Sequence, residues 1–393
     1  MGQCCSNDDH APDNFNFNRS TNRSDKHHES TGFSPPGLRH EVFRFFMVGM
    51  GSAGKSTVIK QLQKLCHDRP EIYRMFDEEW TPLSHTMATH DKERYRRIIR
   101  KNVFDSIAVL EHYVQEWSLR PSSSSSSAAS SILDVASSIR GPDMTIEKET
   151  VEALIELIQD EAILTALGRR SEMTGVEQLA DGAVNFLRLD KMREIFSPDY
   201  SPSEDDVVHS RSPTTGIHDY RFGIRDMRIQ IHDIGGQKVE RGKLLSYIQN
   251  WVAADRSGYR NFILYVVSTS EYNIPHPEHN KITLMDESLM MLQNILELPP
   301  IQNVGLMIFF NKDDVFKQKA LLNRGETPPH EGMQKAIAKK FTEAIKEVKA
   351  KRYKGVYHKF TCAVDTKMMS SLFNTIENEL INYTIDTASF LFA

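Results

Sequence analysis

No stretch of the chain approaches the ~18 consecutive apolar residues that a helix needs to cross a bilayer. Charges and amides occupy the first residues, where a secretory signal would need an apolar core. A membrane-spanning or exported protein is therefore not expected. Cysteine is scarce: Cys4 and Cys5 adjoin while Cys66 and Cys362 stand alone, which is neither a disulfide framework nor a zinc-ligand spacing. A reducing, cytoplasmic setting is expected. Positive charge is not in excess either. The 48 Lys and Arg against 53 Asp and Glu give a net charge of −5, which removes the electrostatic reason for binding nucleic acid. With 39% hydrophobic and 26% charged residues, the composition is that of a soluble globular chain and excludes wholesale disorder or a fibrous repeat. At roughly 150 residues per domain, 393 residues predict two or three domains.

What the chain does carry begins in its first six residues. Met1-Gly2-Gln3-Cys4-Cys5-Ser6 satisfies M-G-x-x-x-[ST], the N-myristoylation pattern with Gly2 as acyl acceptor, and Cys4 and Cys5 beside it are candidates for palmitoylation. One myristoyl chain binds membrane only marginally, so a second lipid is needed for stable anchoring. The expected location is the cytoplasmic face of the plasma membrane. Residues 7–40 are rich in Asn, Asp, Ser and His, carry Pro12, Pro35 and Pro36, and show no periodicity, so 1–40 reads as a flexible acylated tail. His10, His27, His28 and His40 have no metal-ligand spacing and read as polar linker.

From Val42 to Val48 the chain is an apolar, β-prone run that ends at glycine, which predicts a buried strand. Gly49-Met50-Gly51-Ser52-Ala53-Gly54-Lys55-Ser56 then matches G-x-x-x-x-G-K-[ST], and Thr57 to Leu62 continues with helical spacing. Glycines let backbone N–H groups wrap phosphates, Lys55 reaches the β and γ phosphates, and the Ser56 hydroxyl suits Mg²⁺. Residues 67–208 show helical spacing, as in Tyr95, Ile99, Val103 and Ile107, and predict an inserted all-helical domain with a Ser-rich surface loop at 121–131. Arg94, Arg96, Arg97, Arg100 and Lys101 read as the solvated face of one of its helices rather than a nucleic-acid patch.

Strands return at Tyr220–Arg225 and Met227–His232, followed by Asp233-Ile234-Gly235-Gly236-Gln237. An aspartate at a strand end can hold Mg²⁺ through water, a glycine amide can meet a γ-phosphate, and Gln237 can orient an attacking water. Strands at 262–267 and 304–310 come next, the second running into Asn311-Lys312-Asp313-Asp314. The Asp314 carboxylate accepts from N1 and N2 of guanine, whereas adenine offers an acceptor at N1 and nothing at position 2. A last strand, 356–361, leads to Cys362-Ala363, where a backbone N–H can donate to guanine O6.

In this order the motifs resemble those of a heterotrimeric G-protein α subunit over roughly residues 41–393 plus the acylation signal. The resemblance implies an α/β fold: a Ras-like P-loop GTPase domain, discontinuous over 41–66 and 209–393, with the helical domain inserted. It implies nucleotide contacts at Gly49, Gly51, Ser52, Ala53, Gly54, Lys55, Ser56, Thr57, His209, Gly236, Asn311, Lys312, Asp314, Cys362 and Ala363. Within Arg211-Ser212-Pro213-Thr214-Thr215-Gly216, Arg211 becomes the catalytic arginine supplied in cis, with Gln237 as its catalytic companion. Ser56, Thr214 and, through water, Asp233 become the Mg²⁺ set. The implied activity is slow hydrolysis of GTP to GDP. The implied partners are a βγ dimer, a G-protein-coupled receptor, an effector, a GTPase-activating regulator and a membrane surface, with no nucleic acid.

Departures from the family pattern accompany the matches. Ser52-Ala53 replaces the usual Glu-Ser, so a carboxylate that can pair with Arg211 is missing. Pro213 replaces a lysine and fixes φ, and 238–244 lacks the family's tryptophan. The tail has no long amphipathic helix of the kind that docks a βγ dimer, and Phe390-Leu391-Phe392-Ala393 is a more apolar finish than usual. A nucleotide-loaded scaffold with little hydrolysis is the alternative reading. An ATP-dependent kinase is opposed by Asn311 to Asp314.

Overall fold

The computed structural model describes residues 41–391 apart from 85–86, 123–145, 174–178, 236–242, 254–257, 280, 302–303, 323–329 and 349–355. The apolar run after Glu41 forms β1 (Val42–Val48), buried along its whole length. Its side chains alternate between two cores. Phe43, Phe45 and Met47 enter one cluster, Phe46 and Val48 the other, as expected of a parallel strand covered on both faces. Arg44 is tolerated within it because its guanidinium sits over the rings of Trp251 and Tyr259, 5.0 and 5.1 Å from their centroids, and donates to the Trp251 carbonyl.

After β1 come α1 (Lys55–Asp68), β2 (Tyr73–Phe76) and the long α2 (Thr89–Glu116). Then follow α3 (Lys148–Ile158), α4 (Glu161–Gly168), a 3₁₀ segment Asp181–Leu187, α5 (Leu189–Ile195) and α6 (Glu204–His209). The chain returns through β3 (Ile217–Ile224), β4 (Met227–Ile234), α7 (Leu244–Ala253), β5 (Tyr259–Ser268) and α8 (Leu284–Leu296). It ends with β6 (Gly305–Asn311), α9 (Asp313–Leu322), α10 (His330–Val348), β7 (Tyr357–Phe360) and α11 (Thr366–Leu391). The strands make one sheet, ordered β2-β3-β4-β1-β5-β6-β7. Pairing is antiparallel at β2/β3 and β3/β4 and parallel from β4 onward. Apolar faces of α1 and α11 cover one side of the sheet; α7, α8 and α10 cover the other. A third core, built on Tyr95, Ile99, Val103, Ile107 and Leu110 of α2, unites the helices between β2 and β3.

Two expectations need correction. Residues 67–208 are not all helical, because Tyr73–Phe76 adds an edge strand to the sheet, pairing in register from Tyr73 with Ile224 to Phe76 with Arg221. Tyr73 and Met75 bury while Arg74 is exposed, and the Tyr73 hydroxyl bonds Ser370 Oγ on α11 at 3.2 Å, so tertiary contacts stabilise a strand too short to stand alone. Nor is the basic side of α2 simply solvated. Arg96 Nε donates to Tyr200 O at 2.7 Å, and Arg100 donates to Ile195 O at 3.1 Å and Ser197 O at 3.3 Å, so they satisfy carbonyls at and beyond the end of α5. Lys101 keeps the expected exposed role, paired with Asp105 at 2.7 Å.

Candidate functional site

The carboxyl ends of β1, β4, β6 and β7 lie where open α/β sheets place their ligands. Beside them is a cavity of about 660 Å³, lined by Gly51, Ser52, Gly54–Thr57, His209–Thr214, Asn311, Lys312, Asp314, Cys362 and Ala363, and by Leu179–Gly182 from the helical segment. Motifs separated by more than three hundred residues thus share one wall.

The loop after β1 owes its path to glycine. A Cβ on Gly49 would fall 2.2 Å from the Val266 carbonyl oxygen, and one on Gly54, at φ +99°, would fall 2.1 Å from Asn311 Nδ2. Ser52 takes φ 62° at the tip and its hydroxyl donates to Glu271 Oε1 at 3.3 Å. Lys55, buried, donates from Nζ to the carbonyls of Gly49 and Met50, both at 3.0 Å, which draws the loop around the ammonium. Ala53 is buried and Thr57 lies on the cavity wall one residue after Ser56.

Asn311 ties this loop to the other strand ends. Its Nδ2 donates to Ala53 O at 2.9 Å, its Oδ1 accepts from Ala363 N at 2.9 Å, and its own carbonyl accepts from Thr269 Oγ1 at 2.7 Å. Lys312, at φ 63°, extends to Asp181 Oδ2 at 2.8 Å, joining β6 to the helical segment. Burial would lower the Lys312 ammonium, but Asp181 and then Glu271 outweigh it and hold the pKa above its usual value. Of the two aspartates, Asp314 lines the cavity, whereas Asp313 turns to α10 and accepts from His330 Nε2 and Gln334 Nε2 at 2.9 and 2.8 Å. Burial, then the neighbouring Asp314 carboxylate, push the Cys362 thiol up to about 12, so it stays protonated.

The residues expected to hold a divalent cation also meet. Ser56 Oγ and Thr214 Oγ1 are 2.5 Å apart. Asp233, 1% exposed, is pushed up to about 6 by burial, against the opposing pull of Lys55, His218 and Ser56. Its Oδ1 has no hydrogen-bond partner. Two hydroxyls and a buried carboxylate with one unpartnered oxygen form the all-oxygen donor set that Mg²⁺ takes, so these residues fit that ion.

Arg211 lines the cavity, and its guanidinium makes no ion pair among the described residues. His209 also lines it, its Nδ1 bonded to Asp205 O at 2.8 Å. Gly236 and Gln237, like Gly2, Cys4 and Cys5, lie outside the described residues. Asp181, Glu271, Lys60 and Asn102 belong to the site's framework but stand in no short motif; only their partners in space mark them.

Fold and site together define a P-loop nucleotide-binding protein with a guanine-type strand end and a helical insertion. A model of the G-protein alpha subunit family matches residues 18–380, and the chain belongs to that family. It is 27% identical over 368 residues to guanine nucleotide-binding protein subunit alpha-15 of Mus musculus, covering 89% of each chain. It is 25% identical to the alpha-1 subunit of Mycosarcoma maydis, covering 87% of this chain and 89% of that one. It is 24% identical to the alpha-2 subunit of Dictyostelium discoideum, covering 96% of each. The protein is a guanine nucleotide-binding α subunit, divergent in sequence.

Proposed function

We propose that this α subunit is a slow GTPase whose bound nucleotide switches its affinity for partners. The observation that carries the reading is the meeting of the P-loop, Arg211–Thr214 and Asn311–Asp314 around one cavity of about 660 Å³. Asp314 and the Cys362-Ala363 backbone would read guanine, and Gly51 to Thr57 would cradle the phosphates. Ser56 and Thr214, with Asp233 through water, would hold Mg²⁺, which when bound neutralises charge on the β- and γ-phosphate oxygens.

In hydrolysis a water oriented by Gln237 attacks the γ-phosphorus in line, and the bond to the bridging oxygen breaks with its electrons passing to GDP. Arg211 meets the charge that develops there, and water is held off by the helical segment over the cavity. G-protein α subunits are themselves the type example of an arginine supplied in cis, a group worth about 10³–10⁵ in rate. Loss of γ-phosphate contacts would then release Thr214 and Gly236, turning cleavage into a change of partner affinity.

No helix among the described residues is long and apolar enough to cross a membrane. Anchoring through Gly2, Cys4 and Cys5 at the cytoplasmic face of the plasma membrane is the consistent arrangement, with a βγ dimer, a receptor, an effector and a GTPase-activating regulator as partners. Loss of membrane partitioning in Gly2→Ala supports the anchor, and unchanged partitioning rejects it. For the switch itself, phosphate release from chain preloaded with GTP and Mg²⁺ should nearly vanish in Gln237→Leu while GTP affinity persists. Unchanged release removes Gln237 from the mechanism. A second reading, a GTP-loaded scaffold with little hydrolysis, draws on Ser52, which engages Glu271 and offers Arg211 no carboxylate.

A further inference from the structure

Arg211 sits in the extended stretch between α6 and β3, where regular structure does not hold it. An arginine has four rotatable side-chain bonds, so without a paired carboxylate its reach is set by where its backbone is fastened. That fastening comes from one side chain 109 residues earlier. Arg211 N–H donates to Asn102 Oδ1 at 2.7 Å, and Asn102 Nδ2 donates to the Arg211 carbonyl at 2.9 Å. Asn102 lies in the interior of α2 and is 6% exposed. Asparagine is a poor helix former, and a buried amide needs partners; here both functions of the amide are spent on one residue. The preceding residue is held from the opposite side: Lys60 of α1 donates to Ser210 O at 2.8 Å and Ser210 Oγ at 3.0 Å. The Ser210-Arg211 peptide is thus clamped between the helix that opens after the P-loop and the long helix of the insertion.

We propose that Asn102 is a positioning residue for GTP hydrolysis, acting through the Arg211 backbone. The proposal rests on the reading of Arg211 as the arginine that stabilises developing charge. It gives the helical insertion a direct hold on the rate of cleavage, because α2 sets the origin from which the guanidinium reaches the phosphates. A displacement of about 1 Å at a charge-stabilising group costs on the order of 10²-fold in rate. Release of one of two anchoring points is accordingly expected to cost about 5–30-fold.

The test uses the full chain preloaded with GTP and Mg²⁺, in single turnover. Asn102→Ala should hydrolyse about 5–30-fold more slowly while GTP affinity changes by less than about threefold, as expected when an interaction matters mainly in the transition state. In an Arg211→Ala background, Asn102→Ala should cause no further loss, since both act through one group. Asn102→Asp covers the case in which the alanine variant does not fold. It keeps the shape and the acceptor for Arg211 N–H but turns an oxygen toward the Arg211 carbonyl, and should be slowed to a similar extent. Wild-type rates in Asn102→Ala or Asn102→Asp overturn the proposal, as does an equal loss with and without Arg211. A wild-type rate in Arg211→Ala alone would refute the catalytic reading of Arg211 itself and the clamp with it, an outcome separable from failure of Asn102.

Discussion

Gly54→Ala probes how the P-loop is built, and its cost can be worked from the structure. Gly54 is the N-cap of α1 at φ 99° and ψ 16°, a left-handed conformation that costs an alanine roughly 1–2 kcal/mol. The added Cβ would also lie 2.1 Å from Asn311 Nδ2, closer than any real contact, so the Asn311 amide must move. Moving it breaks a 2.9 Å bond to Ala53 O and disturbs the 2.9 Å bond from Ala363 N, a buried loss of about 1–3 kcal/mol. Together these are about 2–5 kcal/mol against the conformation that presents the loop's N–H groups. At about 1.4 kcal/mol per decade, that is a fall in GTP affinity of roughly 30- to several-thousand-fold. Equilibrium titration with a fluorescent GTP analogue reads it directly. Gly168→Ala is the control, since a Cβ there meets nothing within 4 Å. A Gly54→Ala variant that binds GTP within about threefold of wild type would show that neither the left-handed backbone nor the Asn311 contact holds the loop in its binding conformation.

Glu111, 7% exposed with Oε1 lacking a partner, is pushed by burial to about 7 from an ordinary 4.5. The folded chain therefore keeps a proton that the unfolded chain loses, and stability falls as pH rises through 4.5 to 7. Glu111→Gln should raise Tm at pH 8 by about 2–4 °C and leave it unchanged at pH 4; equal effects at both pH values would contradict this. Asp181→Asn removes the partner of Lys312 in the cavity lining, and release of bound GDP should accelerate about 3–10-fold, with an unchanged off-rate as the contrary result. Tyr73→Phe deletes the hydroxyl that joins β2 to Ser370 and should lower stability by about 1 kcal/mol in thermal unfolding without altering GTP affinity.

Much of the fold was legible because its strands announce themselves locally. Val42–Val48 is bounded by Glu41 and Gly49 and matches β1 residue for residue, and the motifs mark the ends of β4 and β6 because chemistry requires them there. β2 was not legible. Four residues of alternation, Tyr73 to Phe76, carry too little periodicity to outweigh the helical pattern around them, and their pairing with β3 lies some 145 residues away. The site divides in the same way. Contiguous motifs placed Lys55, Ser56, Asn311 and Asp314, whereas Asn102, Asp181 and Glu271 each belong to an unremarkable local sequence and acquire a role only when the chain brings Arg211, Lys312 and Ser52 to them. Arg96 and Arg100 looked like surface charge because the carbonyls they satisfy, at Tyr200 and Ile195, lie about a hundred residues downstream.

Single-turnover cleavage decides whether a guanine nucleotide held in this cavity is hydrolysed with Arg211 supplied in cis. Chain preloaded with GTP and Mg²⁺ is followed through a single turnover in wild type and Arg211→Cys, with excess ATP as competitor. Wild type should cleave measurably, the variant about 10³-fold or more slowly, and ATP should not displace the nucleotide. Equal and negligible cleavage in both proteins would contradict hydrolysis in favour of a nucleotide-loaded scaffold, and displacement by ATP would undo the guanine assignment.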